Sequence, residues 1–134
     1  MSEKPTEPKW LSLSYVMMLH NESLNLFGGS PRLRDKGLLE SAMDRPRNKW
    51  AYEQAVSLFE LAAAYAFGIA KNHSFIDGNK RTAFLSIRTF LFLNGYKFSP
   101  PEVESVTIIE GLASGVLDET LLTNWIEENS QERS

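Results

Sequence analysis

The sequence predicts an all-α fold, a single-domain bundle of six helices in which two central buried helices are joined by a short polar loop. Two segments, 61–70 and 83–93, are apolar on nearly every helical face, which is typical of helices inside a bundle. No segment alternates cleanly enough between apolar and polar residues to predict a strand. The 134 residues are enough for one domain with its own core, and the lack of cysteine excludes disulfides and zinc–thiolate sites.

Capping residues and helix breakers set the boundaries of the first two predicted helices. The first helix begins at Ser12 or Ser14 and ends at Phe27, because Gly28-Gly29 follows. A short second helix begins after Asp35, which is suited to cap it, and ends at Pro46.

The remaining elements follow the same signals. Residues 47–53 are predicted to form an irregular connector, with a short hairpin as the alternative. The two central helices cover 56–72 and 79–94, a fifth helix opens at Pro100-Pro101, and Asp118 caps the sixth. The predicted domain spans 11–129, between a flexible lead of residues 1–10 and a frayed polar tail of residues 130–134.

Charge and hydropathy exclude several classes of protein. The formal net charge of −3 argues against a general nucleic-acid binder, which would normally carry a basic face. No apolar run approaches the roughly 20 residues of a membrane span. The first nine residues are polar and lack the apolar core of a signal peptide, so we expect a cytoplasmic protein.

The loop between the central helices carries the groups needed to handle a phosphate. His73 can accept a proton near neutral pH from an incoming hydroxyl, and Asp77 offers the oxygen ligand that Mg²⁺ prefers. Gly78 permits a turn with positive φ, after which the free N–H groups of a new helix form an anion site. Lys80 and Arg81 stand in the first turn of that helix, where cations oppose the helix dipole and a bound polyphosphate would explain them.

Structural roles are the alternatives for these residues. His73 can cap the last carbonyls of its helix, Asp77 can cap the following helix, and the Lys80-Arg81 pair can be solvated. Phe75 is expected to point into the core and fix the loop. We interpret His20, the other histidine, as a helix-face residue and not as a metal ligand, because no cluster of ligand-type residues surrounds it.

The stretch His73–Ala83 resembles the signature of the Fic/Doc superfamily, and specifically of its death-on-curing (Doc) branch. The segments Gly37–Pro46 and Leu93–Tyr96 resemble the same branch, so the resemblance covers about residues 11–127. It implies an all-helical fold and an enzyme that transfers part of a nucleotide to a protein hydroxyl.

The resemblance also implies a role for each residue of the loop. His73 corresponds to the catalytic base, and Asp77 to the residue that holds Mg²⁺. The implied phosphate- and nucleotide-binding residues are Gly78, Asn79, Lys80 and Arg81.

Three positions differ from the pattern of AMP-transferring members of the superfamily. Ser74 replaces a proline, Lys80 replaces a glycine, and Phe84 stands in the place of a second arginine. The last two differences are expected of the Doc branch, which is associated with phosphate transfer from ATP. The predicted reaction is therefore Mg²⁺-dependent transfer of a phosphate from ATP to a Ser or Thr hydroxyl of a protein, such as translation elongation factor Tu. The alternatives are AMP transfer by the same site and a non-enzymatic interaction or DNA-binding module.

The resemblance further implies a toxin with a cognate antitoxin as its protein partner. The self-inhibitory helix motif of many Fic proteins has no match in this sequence, and Doc toxins are inhibited by a separate antitoxin. Lys49, Trp50 and Tyr52 lie in the connector that corresponds to the family's target-docking flap, so they are the predicted docking residues, with ordinary packing over the bundle as the alternative. Neither a membrane nor direct nucleic-acid binding is expected.

Overall fold

The computed structural model describes residues 6–133, which form six helices and one small antiparallel sheet. In chain order the elements are α1 (Leu13–Phe27), α2 (Lys36–Tyr52), α3 (Leu58–Asn72), α4 (Asn79–Leu93), β1 (Tyr96–Phe98), α5 (Glu102–Ser114), α6 (Glu119–Glu128) and β2 (Ser130–Glu132). The predicted bundle of six helices is confirmed. Residues 1–5 of the predicted lead and residue 134 of the predicted tail lie outside the described residues. Within 6–133, no helix has the length and apolar character needed to cross a membrane.

The core surrounds α3 and α4, the two helices predicted to be central. Every residue from Leu61 to Ala66 is buried, and α3 packs against α2, α4, α5 and α6. Gly68 allows α2 to pack closely against α3, because a Cβ at this position would lie only 3.1 Å from the Cα of Ala42. Packed helices on every side therefore hold both ends of the loop that joins α3 to α4.

Helix α2 continues to Tyr52, so the predictions that Pro46 ends it and that 47–53 form an irregular connector or hairpin are wrong. A proline inside a helix removes a backbone hydrogen bond and costs about 3 kcal/mol. Pro46 is buried, however, and Trp50 packs against the core one turn later. We attribute the continuation to this burial, and an ion pair of 3.1 Å between Lys49 and Glu53 supports the last turn.

The predictions of no strand and of a frayed tail from residue 130 are also wrong. β1 and β2 pair antiparallel, with Tyr96 opposite Glu132 and Phe98 opposite Ser130. Strands of three residues are too short to show a period of two in the sequence. Phe98 supplies the packing that the ribbon needs, because its buried ring lies edge-on to the ring of Trp125, with centroids 5.4 Å apart.

Candidate active site

The loop between α3 and α4 (residues 73–78) lies beside the linker between α1 and α2 (residues 28–35). Leu33 and Phe75 form an isolated antiparallel bridge between the two segments. The Ser74 carbonyl accepts hydrogen bonds from the N–H groups of Arg34 and Asp35, at 2.7 and 3.1 Å. This pairing was not predictable from the sequence, because the two segments are about 40 residues apart and neither has a strand pattern.

His73 is the C-terminal capping residue of α3 and has a left-handed backbone, with φ 50° and ψ 51°. It is the one non-glycine residue with positive φ among residues 6–133, and this conformation costs roughly 1–2 kcal/mol for a residue with a Cβ. Its side chain is exposed and forms no hydrogen bond with any described residue. The alternative that His73 caps the last carbonyls is wrong, because the guanidinium of Arg34 does so instead, donating to the carbonyls of Asn72 and His73.

Phe75 anchors the loop in the core, as predicted. Its ring is 2% exposed and stacks on the imidazole of His20, with ring centroids 3.7 Å apart and an interplanar angle of 9°. Nε2 of His20 lies 2.7 Å from the carbonyl oxygen of Asp77. A carbonyl oxygen can only accept, so Nε2 carries a proton and donates it. The prediction that His20 lies on a helix face is confirmed. Nothing in the sequence indicated its hydrogen bond to the loop, 57 residues further along the chain.

The side chain of Asn79 is turned inward and fixes the other side of the loop. Its amide nitrogen donates to the Phe75 carbonyl at 2.8 Å, and its amide oxygen accepts from the Phe75 N–H at 3.0 Å. The side chain is thereby occupied within the protein. A contribution of Asn79 to anion binding would therefore come from its backbone N–H.

The carboxylate of Asp77 contacts the linker between α1 and α2. One carboxylate oxygen accepts a hydrogen bond of 2.9 Å from the N–H of Ser30, in the linker. The N-cap of α4 is Gly78, with φ 82° and no side-chain cap, so the alternative that Asp77 caps this helix is wrong. Gly29 allows the linker to come this close, since a Cβ there would lie 3.2 Å from the Cβ of Asp77.

The start of α4 presents backbone donors and two cations. The N–H groups of residues 79–81 have no acceptor among the described residues, as expected for the first turn of a helix without a side-chain cap. Lys80 forms an exposed ion pair of 3.1 Å with Glu110 of α5. The guanidinium of Arg81 lies 4.8 Å from the ring centroid of Phe27. Both cations border a groove of about 640 Å³ between α1, α4 and α5.

The predicted docking residues lie at the opposite end of α2. Asn72 donates to the carbonyl of Leu38, so the start of α2 is beside the end of α3. Lys49 follows eleven residues later, or about 17 Å at 1.5 Å per residue. Trp50 packs against the core, whereas Tyr52 is 85% exposed. The structure thus does not bring Lys49, Trp50 and Tyr52 together with His73, and the linker 28–35 occupies the position beside the loop.

Comparison with known sequences identifies the family of this chain. The sequence model of the Fic/DOC family matches residues 10–91. The chain is 37% identical over 106 residues to "Protein kinase doc" of Escherichia phage P1, which covers 78% of this chain and 82% of that protein. It is 40% identical over 74 residues to "Toxin Doc" of Mycolicibacterium smegmatis, which covers 54% of this chain and 57% of that protein. The family model covers α3, the loop and α4 as far as residue 91, and the chain belongs to the Fic/DOC family.

Proposed function

We propose that this protein is a Doc-type toxin that transfers a phosphate from ATP to a Ser or Thr hydroxyl of a protein target. The observation that carries the proposal is the presence of three kinds of group on one braced loop: the exposed imidazole of His73, the carboxylate of Asp77 and the unpaired N–H groups that open α4. The relative in phage P1 is named a protein kinase, and the relative in M. smegmatis is named a toxin.

In the proposed reaction, His73 takes the proton of the target hydroxyl, and the oxygen of that hydroxyl attacks the γ-phosphorus of ATP. The bond from that phosphorus to the β-phosphate oxygen breaks, and ADP leaves. The N–H groups of residues 79–81 face the phosphates at the positive end of α4, and Lys80 and Arg81 add positive charge there. These groups lower the energy of a transition state in which negative charge spreads over the phosphate oxygens.

The site fits one Mg²⁺ ion through Asp77. Ser30 holds one of its carboxylate oxygens, and the other has no hydrogen-bond partner among the described residues. No cluster of three or more His, Cys, Asp or Glu is found in residues 6–133. Mg²⁺ does not require such a cluster, because it binds commonly through one or two carboxylates together with substrate phosphates and water. When bound, the ion would neutralise phosphate charge.

Phosphate transfer is preferred to AMP transfer because of two side chains in α4. Lys80 stands in the first turn, and its length would crowd a nucleotide seated as in AMP-transferring relatives. Phe84 offers no positive charge, and its ring packs 5.7 Å from that of Phe98, by ring centroids. A DNA-binding role is not proposed, because one face of α4 is buried at Thr82, Ala83 and Ile87, and the opposite face lines the groove against α1 and α5 and does not project from the bundle.

An antitoxin is the proposed protein partner, and the groove between α1, α4 and α5 is the surface proposed to bind it. The groove borders Lys80 and Arg81, so an occupant would obstruct the phosphate site. Apolar side chains that are more than half exposed lie along it, namely Leu26, Phe27 and Val106. Such side chains at the edge of a groove are suited to the apolar face of a partner segment.

The test uses ATP labelled either at the α- or at the γ-phosphate, with Mg²⁺ and purified elongation factor Tu, and in parallel a bacterial cytoplasmic extract. We expect γ label on one protein and no α label, with His73→Ala as the inactive control. Retained α label would indicate AMP transfer instead. If neither label reached any protein, the assignment as a transferase would be wrong.

A further inference from the structure

We propose that Arg34 is a positioning residue, which fixes the left-handed backbone of His73 and so directs its imidazole. The inference rests on the proposed function in one respect, that His73 is the base. It goes beyond that function because it assigns a catalytic requirement to a residue of the α1–α2 linker, outside the loop that carries the chemistry.

Arg34 contacts three consecutive carbonyl groups around His73. Its Nε donates to the His73 carbonyl at 2.6 Å, and a terminal guanidinium nitrogen donates to the Asn72 carbonyl at 3.0 Å. Its own backbone N–H donates to the Ser74 carbonyl at 2.7 Å. Two of these three hydrogen bonds involve a charged donor, which makes them stronger than neutral ones.

These contacts define the backbone angles of His73. The carbonyl of Asn72 belongs to the peptide plane before the His73 Cα, and the carbonyl of His73 belongs to the plane after it. A rigid, planar guanidinium that holds both oxygens fixes the two planes relative to each other, and with them φ and ψ. The direction of the Cα–Cβ bond, and so of the imidazole, follows from those two angles.

A strained capping residue needs such a restraint. Helices that end in a left-handed residue usually have glycine there, whereas this position has a histidine with φ 50°. Arg34 also places positive charge at the C-terminal end of α3, where the helix dipole favours it. Arg34 is exposed, so removing its side chain leaves no cavity in the core. Its loss should therefore affect the orientation of His73 more than the packing of the fold.

The test compares Arg34→Ala with Arg34→Lys and with Arg32→Ala. Arg32 lies in the same linker and carries the same charge, but its side chain forms no hydrogen bond or ion pair with the described residues, and its backbone contacts persist in the variant. Arg34→Lys keeps the charge but cannot hold two carbonyls with one planar group. The full-length protein is used throughout, with phosphate transfer from γ-labelled ATP to elongation factor Tu or extract protein as the activity.

Histidine NMR provides a measurement that does not depend on activity. The chain has two histidines, so ring-labelled protein gives two imidazole signals, one from buried His20 and one from exposed His73. In Arg34→Ala we expect the His73 signal to move and broaden while the His20 signal stays in place. We expect kcat to fall by about 10- to 100-fold, as for other small displacements of a catalytic group, with an unchanged KM for ATP. Arg34→Lys should lie between, and Arg32→Ala should match the wild type.

Three outcomes would overturn the proposal: an unchanged His73 signal with unchanged kcat in Arg34→Ala, an equal loss of kcat in Arg32→Ala, or a fall in kcat without a change at His73. If Arg34→Ala does not fold, Arg34→Lys decides, because wild-type kcat and a wild-type His73 signal in that variant would exclude the role of the planar group. If the His73 signal moves but the wild-type protein transfers no phosphate, the positioning is supported and the proposed function is not.

Discussion

The two ends of the α3–α4 helix pair differ in their exposure to solvent. At the loop end, His73, Asp77 and Lys80 have exposed side chains. Towards the other end, residues of the N-terminal segment cover the pair from the middle of α3 to the end of α4. The ring of Trp10 stacks on that of Phe90 with centroids 6.1 Å apart, and the N–H of Leu11 donates to the buried hydroxyl of Tyr65 at 3.0 Å.

The difference shows how one helix pair serves two purposes. The covered end satisfies its polar groups within the protein, so it contributes to stability. The open end leaves polar groups available to a ligand. Its loop is held in place by hydrogen bonds with His20, Asn79 and the linker 28–35. Variants at the two ends should therefore separate loss of activity from loss of stability.

The largest effect on activity is expected for His73→Ala. Removing a general base typically costs 10²- to 10⁴-fold in rate, so we expect at least about a 100-fold loss of phosphate transfer. The free energy of unfolding should hardly change, because the side chain is exposed. A matched variant, His73→Gly, should be equally inactive but more stable, by up to about 1 kcal/mol, because glycine tolerates positive φ. Urea unfolding measures the stability of both variants, and the labelled-ATP assay measures their activity. A folded His73→Ala that still transferred phosphate would contradict the assignment of activity to the loop end.

Asn79→Ala should lower both activity and stability, because this residue joins the open end to the core. It leaves the N–H and carbonyl of Phe75 buried without partners, which we expect to cost about 2–3 kcal/mol. The control is Asn94→Ala at the covered end, where the side chain exchanges hydrogen bonds with Lys9. That variant should lose stability and keep its kcat. Equal activity losses in the two variants would show that the ends are not separable.

Tyr65→Phe should lower stability alone. It removes the acceptor of the Leu11 N–H, which we expect to cost about 1–3 kcal/mol at neutral pH. Burial raises the pKa of Tyr65 from 10.0 to about 12. The folded state thus keeps the proton to higher pH than the unfolded chain, so the stability that comes from burying the neutral phenol is complete below pH 10 and is lost as the pH rises to about 12. Urea unfolding should show a steeper decline from pH 10 to 12 in the wild type than in the variant.

Only a small effect on stability is expected for Glu110→Gln. Exposed ion pairs contribute about 0–1 kcal/mol, so breaking the pair with Lys80 should change the free energy of unfolding by less than that. Because the variant frees Lys80, we expect tighter ATP binding in calorimetry with Mg²⁺, and an effect that shrinks as salt rises. Weaker ATP binding in Glu110→Gln would argue against a phosphate contact by Lys80.

Much of the fold was predictable because its signals are local. The apolar segments of α3 and α4, the caps at Asp35 and Asp118 and the polar loop between the central helices all appear within short windows of sequence. The continuation of α2 past Pro46 was not predictable, because it depends on burial against another helix.

The chemical groups of the candidate site were also recognisable from sequence, whereas their supports were not. His20 and Arg34 reach the loop from 57 and 39 residues away, and neither lies in a pattern that points to it. Docking of a target by residues 49–52 stays a prediction. It was based on a connector, whereas tertiary packing extends α2 to Tyr52.

Both ends of the described chain meet at one turn. Lys9 is bonded to Asn94, and the N–H of Arg133 donates to the carbonyl of Gly95 at 2.8 Å. This turn follows the last residue of α4, so it lies a full helix length from the loop end. A fluorescent or affinity tag attached beyond either residue would sit remote from His73. A short peptide joining the two ends, with the backbone reopened near exposed Gln54, would give a circular permutant that retains every contact of the loop between α3 and α4.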